Sequence, residues 1–238
     1  MGDFWGSFFR RRWFLPLPRI LLACVLAFTF TSARADNTND VLDKWFAAQS
    51  GVHSLSADFT QTRHLKTLLQ PLIATGHLWF SAPNQFHWEL GHPPQTVALR
   101  HADDLFIVYP RLKRAEHYPL GASAPHEWRD AMSLLDAGFP STRQQFEKQF
   151  HLQSATQSNG VWRLTLQPLS PVARQVMPEL AVFLAATDFS LAGTELVFQD
   201  GSRMRNDFTN IVVNPPVDEQ LFRWTPPADF TVTEPFSK

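Results

Sequence analysis

The sequence predicts a mainly β fold with α-helical additions, built on one antiparallel sheet, and three observations carry that reading. Apolar residues recur with a period of two from Ser56 almost to the C-terminus, as strands with one covered face require. Turn-forming clusters separate these runs: Ala82-Pro83-Asn84, Gly91-His92-Pro93-Pro94, Ser158-Asn159-Gly160, Leu191-Ala192-Gly193 and Gln199-Asp200-Gly201. Helical periodicity is confined to a few short stretches. No repeat, linker or low-complexity segment interrupts 36–238, so these residues read as one domain.

The first 35 residues read as a secretory signal. Arg10-Arg11-Arg12 form a basic n-region, Ile20 to Phe28 an apolar h-region, and Ala33-Arg34-Ala35 a small-x-small cleavage site. The apolar run falls short of the roughly 20 residues a spanning helix needs. Leu21-Leu22-Ala23-Cys24 is similar to a lipobox, but only four apolar residues separate Cys24 from Arg19, too few for an h-region. Arg11-Arg12-Trp13-Phe14-Leu15 is similar to a twin-arginine signal. An ordinary basic n-region explains it equally simply, and the export route stays open. The expected mature chain begins at Asp36, outside the cytoplasm.

In the body, Asn39 is placed to cap a helix over 40–49. Val41, Leu42, Trp45 and Phe46 share one face of it, and Gly51 stands just past its end. Strands follow. Leu78 and Phe80 alternate with His77 and Trp79; Phe86, Trp88 and Leu90 with His87 and Glu89; Leu105, Ile107 and Tyr109 with Phe106 and Val108; Trp162, Leu164 and Leu166 with Arg163 and Thr165. The pattern continues through Leu180, Val182 and Leu184, then Phe189 and Leu191, then Leu196 and Phe198. A helical insert interrupts it over 126–137, with Trp128, Met132 and Leu135 on one side and Gly138 as the stop. Ser141 is expected to open a further short helix, with Gln144 completing a capping box and Phe146 and Phe150 as its apolar pair. Residues 171–177 suit another short helix.

Some strands are apolar on both phases, so both faces need cover there. Two arrangements provide it. The sheet can curl into an incomplete barrel with helices as a lid over an apolar hollow, or its interior can fill with side chains, as interiors usually do.

Composition narrows the chemistry. Residues 1–35 hold five arginines against one acid, Asp3, which leaves 16 bases and 21 acids in the rest and a body charge of about −5. An acidic body argues against nucleic acid as the partner. The single cysteine, Cys24, lies in the leader, so the body has no thiol chemistry. Histidine spacing fits no zinc motif, no GxSxG or Gly-rich phosphate loop occurs, and Asp103-Asp104 reads as a turn. No catalytic residue, metal site or cofactor is expected. Arg111, Lys113 and Arg114 form a basic cluster after a strand, suited to anionic headgroups or an acidic partner, or simply to solvent.

Several motifs together resemble the LolA family of periplasmic lipoprotein carriers. They are the helix over 40–49 followed by Leu55-Ser56-Ala57-Asp58-Phe59-Thr60-Gln61-Thr62; the strand pair Gly76-His77-Leu78-Trp79-Phe80-Ser81-Ala82-Pro83-Asn84-Gln85-Phe86-His87-Trp88; Tyr109-Pro110; and a tail with Val217-Asp218, Phe222 and Thr225-Pro226-Pro227. The resemblance implies a half-open β-barrel with a helical lid over an apolar cavity, and no enzyme activity. It implies a periplasmic monomer that takes acylated lipoproteins from an inner-membrane ABC-type exporter and passes them to an outer-membrane receptor. Each exposed acyl methylene costs about 0.8 kcal/mol, so such cargo needs a shield in water. By carry-over from the strand-pair motif Phe86 and Trp88, with Leu78 and Phe80 beside them, are candidate cavity residues, plain sheet core being the alternative; Trp128, Met132 and Leu135 on the helical insert could line the lid or serve as simple core. This chain departs from the family at Ala82, where many members have a basic residue that ties the lid; Arg63 or Arg111 could substitute. The departure keeps open a divergent relative serving a glycolipid or pigment-lipid, or a lipid-sensing or receptor component of the same fold.

Overall fold

The alternation resolves into twelve strands of one sheet in a computed structural model that describes residues 38–121, 140 and 142–235. The first half runs α1 (Thr38–Gln49), β1 (Ser54–His64), β2 (Leu72–Ser81), β3 (Gln85–Leu90), β4 (Thr96–His101), β5 (Asp104–Tyr109) and β6 (Arg114–Pro119). The second runs α2 (Arg143–Gln149), β7 (Phe150–Ser158), β8 (Val161–Pro168), α3 (Pro171–Val176), β9 (Glu179–Ala185), β10 (Leu191–Val197), β11 (Arg203–Val213) and β12 (Thr231–Thr233). The order across the sheet is β12-β6-β5-β4-β3-β2-β1-β11-β10-β9-β8-β7. Every pairing is antiparallel except β12 on β6. Strands β12 and β7 are the two edges, so the sheet is open, as the sequence predicts. The insert expected over 126–137 and the leader lie outside the described residues.

Local chemistry corrects some boundaries. Helix α1 starts at Thr38, which puts Asn39 inside its first turn, where its Oδ1 accepts from Arg143 at 3.2 Å. Thr142 caps α2, accepting the Gln145 N–H at 3.2 Å; Ser141, expected to open this helix, lies outside the described residues. Ser170 caps α3 ahead of Pro171, a residue suited to a first turn because it has no N–H to leave unpaired. The turn expected at Leu191-Ala192-Gly193 is strand. The chain reverses earlier, where Asp188 accepts from the N–H and hydroxyl of Ser190 at 3.0 and 2.7 Å and Phe189 takes a left-handed φ of 59°. Gly193 serves the β10–β11 approach instead, since a Cβ there would stand 2.6 Å from the Asn206 carbonyl oxygen.

One face of the sheet, here the inner face, carries the main core. Val41, Leu42 and Trp45 of α1 are buried on it, and Trp45 and Phe46 meet Phe146 of α2 at 5.5 and 5.6 Å between ring centroids. Below them lie Trp162, Leu164 and Leu166 of β8, Leu180, Val182 and Leu184 of β9, and Leu55, Ala57 and Phe59 of β1. This part of the interior is filled by side chains. At its centre the Phe59 ring lies over Gly76, its cross-strand partner, and against Trp88 at 4.1 Å. A Cβ at Gly76 would collide with the Glu89 carbonyl oxygen and the Phe59 ring. Gly76→Ala should therefore lower stability by about 1–3 kcal/mol, the usual cost of overpacking, read as an earlier midpoint in urea. An unchanged midpoint would show that the strands part freely there.

Candidate functional site

Across the inner face, directly opposed residues form rows. One runs Leu55, Phe80, Phe86, Arg100, Leu105, Tyr118; the next runs Ala57, Leu78, Trp88, Ala98, Ile107, Glu116. Four of the expected cavity residues, Leu78, Phe80, Phe86 and Trp88, are thus adjacent by register. They differ in exposure. Leu78 and Phe80 are buried core, while Phe86 and Trp88 are only partly covered, as are Leu90, Ala98 and Ile107. The face therefore grades from a dense interior under α1 and α2 to a partly open apolar strip over β3–β5. Trp128, Met132 and Leu135 lie outside the described residues.

Beyond the strip the face turns polar, which the sequence reading missed because it did not recognise β4 and β6 as strands. Tyr118 donates to Glu116 at 2.7 Å and Arg114 donates to the other oxygen at 3.0 Å. Burial, then the Glu116 carboxylate, push both Tyr118 and Tyr109 above the usual phenol range. Arg100 shares the face beside Phe86. Arg63 and Arg111, the expected substitutes for the basic residue absent at Ala82, are both exposed. In the expected basic cluster, Lys113 pairs with Asp229 at 2.8 Å and Arg114 with Glu116, so two of the three charges have acidic partners.

The outer face holds a constellation that the sequence did not announce. His77 lies opposite Asp58, with Nδ1 2.6 Å from Asp58 Oδ1 and Nε2 2.8 Å from Ser56 Oγ. A bulge on β11 opposite Ala57 brings Asn210, at φ 51°, within 2.8 Å of the second Asp58 oxygen. The Asn210 and His77 hydrogen bonds hold the Asp58 carboxyl below its usual value. The order Ser–His–Asp is that of an activated nucleophile. Asp58, however, has a side chain 47% exposed, where water screens it. Ser56 sits mid-strand between β2 and β11, away from the loop or helix-terminus amides that usually hold an oxyanion. The group ties three strands together. Next to it Trp79 lies against His77 at 4.1 Å, and His87 donates from Nδ1 to the Leu221 carbonyl at 2.7 Å.

Farther along this face, residues 219–235 strap the β4–β6 region. Trp224 and Phe230 pack on Leu99, Val108 and Ala115. His117 fastens the strap, with Nδ1 3.0 Å from Glu234 and Nε2 2.7 Å from Asp104, stacked on Phe106 at 4.5 Å.

Residues 50–225 match the family described as outer membrane lipoprotein carrier protein LolA, and the chain belongs to that family of lipoprotein carriers. An outer-membrane lipoprotein carrier protein from Chromohalobacter salexigens is 27% identical over 181 residues, 76% of this chain and 80% of that one. Among solved structures, a LolA superfamily protein from Nitrosomonas europaea has a TM-score of 0.42 at 8% identity, covering 78% of this chain and 97% of its own. An uncharacterized conserved protein from Thermus thermophilus has a TM-score of 0.47 at 9% identity, covering 83% and 98%.

The His117 clamp sets a pH dependence. Burial pulls the imidazole down, but the hydrogen bonds to Asp104 and Glu234 outweigh it and hold the group above its ordinary value of 6.5. A raised folded-state value means the clamp contributes fully below pH 6.5 and is lost as pH rises through the folded value. Cleavage of the C-terminal strap by a protease with little pH dependence of its own should accelerate from pH 6 to pH 9. His117→Gln should cut faster at pH 6 and flatten the profile; an unaltered profile would remove the clamp.

Proposed function

We propose that this chain is a periplasmic, non-enzymatic carrier that holds the acyl chains of a lipoprotein against the inner face over β3–β5. The observation that supports this reading is the strip itself. Phe86, Trp88, Leu90 and Ile107 remain partly open beside a fully packed core, although covering them would be favourable. An acyl chain laid on them completes the burial without the dense complementarity that would prevent release. Loading from an inner-membrane ABC-type exporter and delivery to an outer-membrane receptor then need only graded affinities among the three. The leader at 1–35 provides the export this route requires.

Closure falls to Arg100 in this reading. The basic residue usual before the Pro-Asn pair is Ala82 here, and Arg100 is the cation on the inner face beside Phe86. The outer Ser56–His77–Asp58 set acts as a brace, so the protein should release no alcohol from acyl esters and take no label from a fluorophosphonate.

Purified mature protein should bind a fluorescent fatty-acyl probe saturably. Ile107→Asp, which places a charge on the strip, should weaken that binding at least about tenfold, since an unpaired buried charge costs more than 1.4 kcal/mol. Arg100→Ala should speed spontaneous release of the bound probe. Saturable binding that is indifferent to Ile107→Asp would move the cargo elsewhere; fluorophosphonate labelling lost in Ser56→Ala would make the protein an enzyme.

A further inference from the structure

The sheet has two ends, and one is built for a different environment. Because the strands alternate in direction, the turns β1–β2, β3–β4, β5–β6 and β10–β11 and the α3 connection between β8 and β9 all fall at the same end. That end collects most of the exposed large apolar side chains of the described residues. The β1–β2 hairpin alone presents Leu68, Leu69, Leu72 and Ile73, with Leu69 fully exposed. Leu112 at the β5–β6 turn, with Leu169 and Val176 beside and on α3, adds to them. Leu72 and Ile73 are consecutive strand residues whose side chains point to opposite faces. Both are exposed, so the hairpin runs out past the layers that cover the sheet. The tip is nonetheless held in place. Leu68 donates its N–H to the Leu65 carbonyl at 3.0 Å and Lys66 donates its N–H to Ser202 Oγ at 3.3 Å.

The charge at this end is opposite to that of the body. Between Asp58 and Glu89 the sequence contains no acid. Arg63 and Lys66 flank the tip, Arg203 lies opposite His64 in the neighbouring strand, and Arg111 is exposed at the β5–β6 turn. Asp200 feels the charge of Lys66, and its oxygens already accept from the N–H and hydroxyl of Ser202 at 2.9 Å each. Behind the tip, Arg63 and Arg203, two bases against the single acid Asp200, line a pocket of about 370 Å³ together with Val176 and Phe198. An apolar wedge collared by bases, with a cationic pocket one layer back, matches a bilayer in cross-section: acyl chains first, anionic headgroups behind. A body of about −5 is repelled overall by an anionic surface, and the bases gathered at this end offset that repulsion locally.

We propose that this end of the sheet docks on an anionic phospholipid bilayer, with Leu68 and Leu69 below the headgroups and Arg63, Lys66 and Arg203 at phosphate level. The proposal does not depend on what the inner face carries. The test uses the mature chain from Asp36, whose sequence contains no cysteine, with a single environment-sensitive NBD label, either at Leu69→Cys or, for comparison, at Val213→Cys on the opposite end. Vesicles containing phosphatidylglycerol should shift the Leu69 label to the blue and brighten it about threefold as it leaves water, leaving the Val213 label unchanged. Arg63→Glu with Lys66→Glu should abolish the response at Leu69, and raising salt from about 0.05 to 0.5 M should weaken it. No response at Leu69, or equal responses at both sites, overturns the proposal. A response only to native membranes and not to pure lipid overturns it in favour of a protein partner. The acyl-probe titration run on the same labelled chain keeps this result separate from the carrier reading.

Discussion

Everything in this fold depends on the pairing of β1 with β11. These strands lie some 150 residues apart in sequence and meet at the centre of the sheet, where they join the meander β1–β6 to the returning series β11–β7. Closing so long a loop is entropically costly, and the cost is met only when both strands bury side chains together. Phe59 opposite Phe208 provides apolar area, and Gln61 donates to Asn206 at 3.0 Å inside the same interface. Asn214 secures the end of the pair: its side chain donates to the Gly51 carbonyl and accepts the His53 N–H, both at 2.8 Å. Without this seam there would be two half-sheets, each exposing an edge.

The seam also determines what each face can do. Its bulge brings Asn210 onto Asp58 and so assembles the outer brace, while Phe59 and Phe208, paired across the seam, pack against Trp88 on the inner face. The helices α1 and α2 cover the β7–β9 and β1 side, where Phe46 of α1 meets Phe146 of α2 and Phe146 in turn meets Phe150. The Ser–His–Asp geometry is instructive here. Side-chain distances alone match a hydrolase, and only the backbone context and the exposure of Asp58 separate a brace from a nucleophile.

Much of the fold was legible because period-two alternation reports burial directly. The phases of β2, β3, β5 and β8 could be read from Leu78 and Phe80, Phe86 and Trp88, Leu105 and Ile107, and Trp162 and Leu164. Strands β4 and β6 escaped notice because their two faces bury against different things. Ala98 and Arg100 face the strip while Val97 and Leu99 meet the C-terminal strap, so polarity does not alternate cleanly. Gly193 misled for a related reason, since glycine marks a close backbone approach as readily as a turn. The site was legible only in part. Phe86 and Trp88 stand out as aromatic residues on one phase, but Arg100 becomes visible only once register places it beside Phe86. The apolar and basic end is a property of topology, because it gathers turns that are distant in sequence.

These features share one physical origin, the difference between surface a protein covers itself and surface it leaves for something else. A sheet with one well-packed side could have been closed over its whole inner face, given that each buried side chain of the size of Ile107 contributes roughly 1.5–3 kcal/mol. Leaving the β3–β5 strip half covered sacrifices stability that the chain could have had, and the same is true of the leucines on the β1–β2 hairpin. The two sacrifices differ in geometry. The strip is recessed beside Arg100 and Glu116, whereas the hairpin projects beyond the sheet and carries its bases outside. Recessed apolar surface suits a ligand that enters the protein; projecting apolar surface suits a medium that the protein enters. A chain that moves hydrocarbon through water needs the first property for transit and profits from the second at a destination membrane, and the antiparallel meander provides both by separating faces from ends.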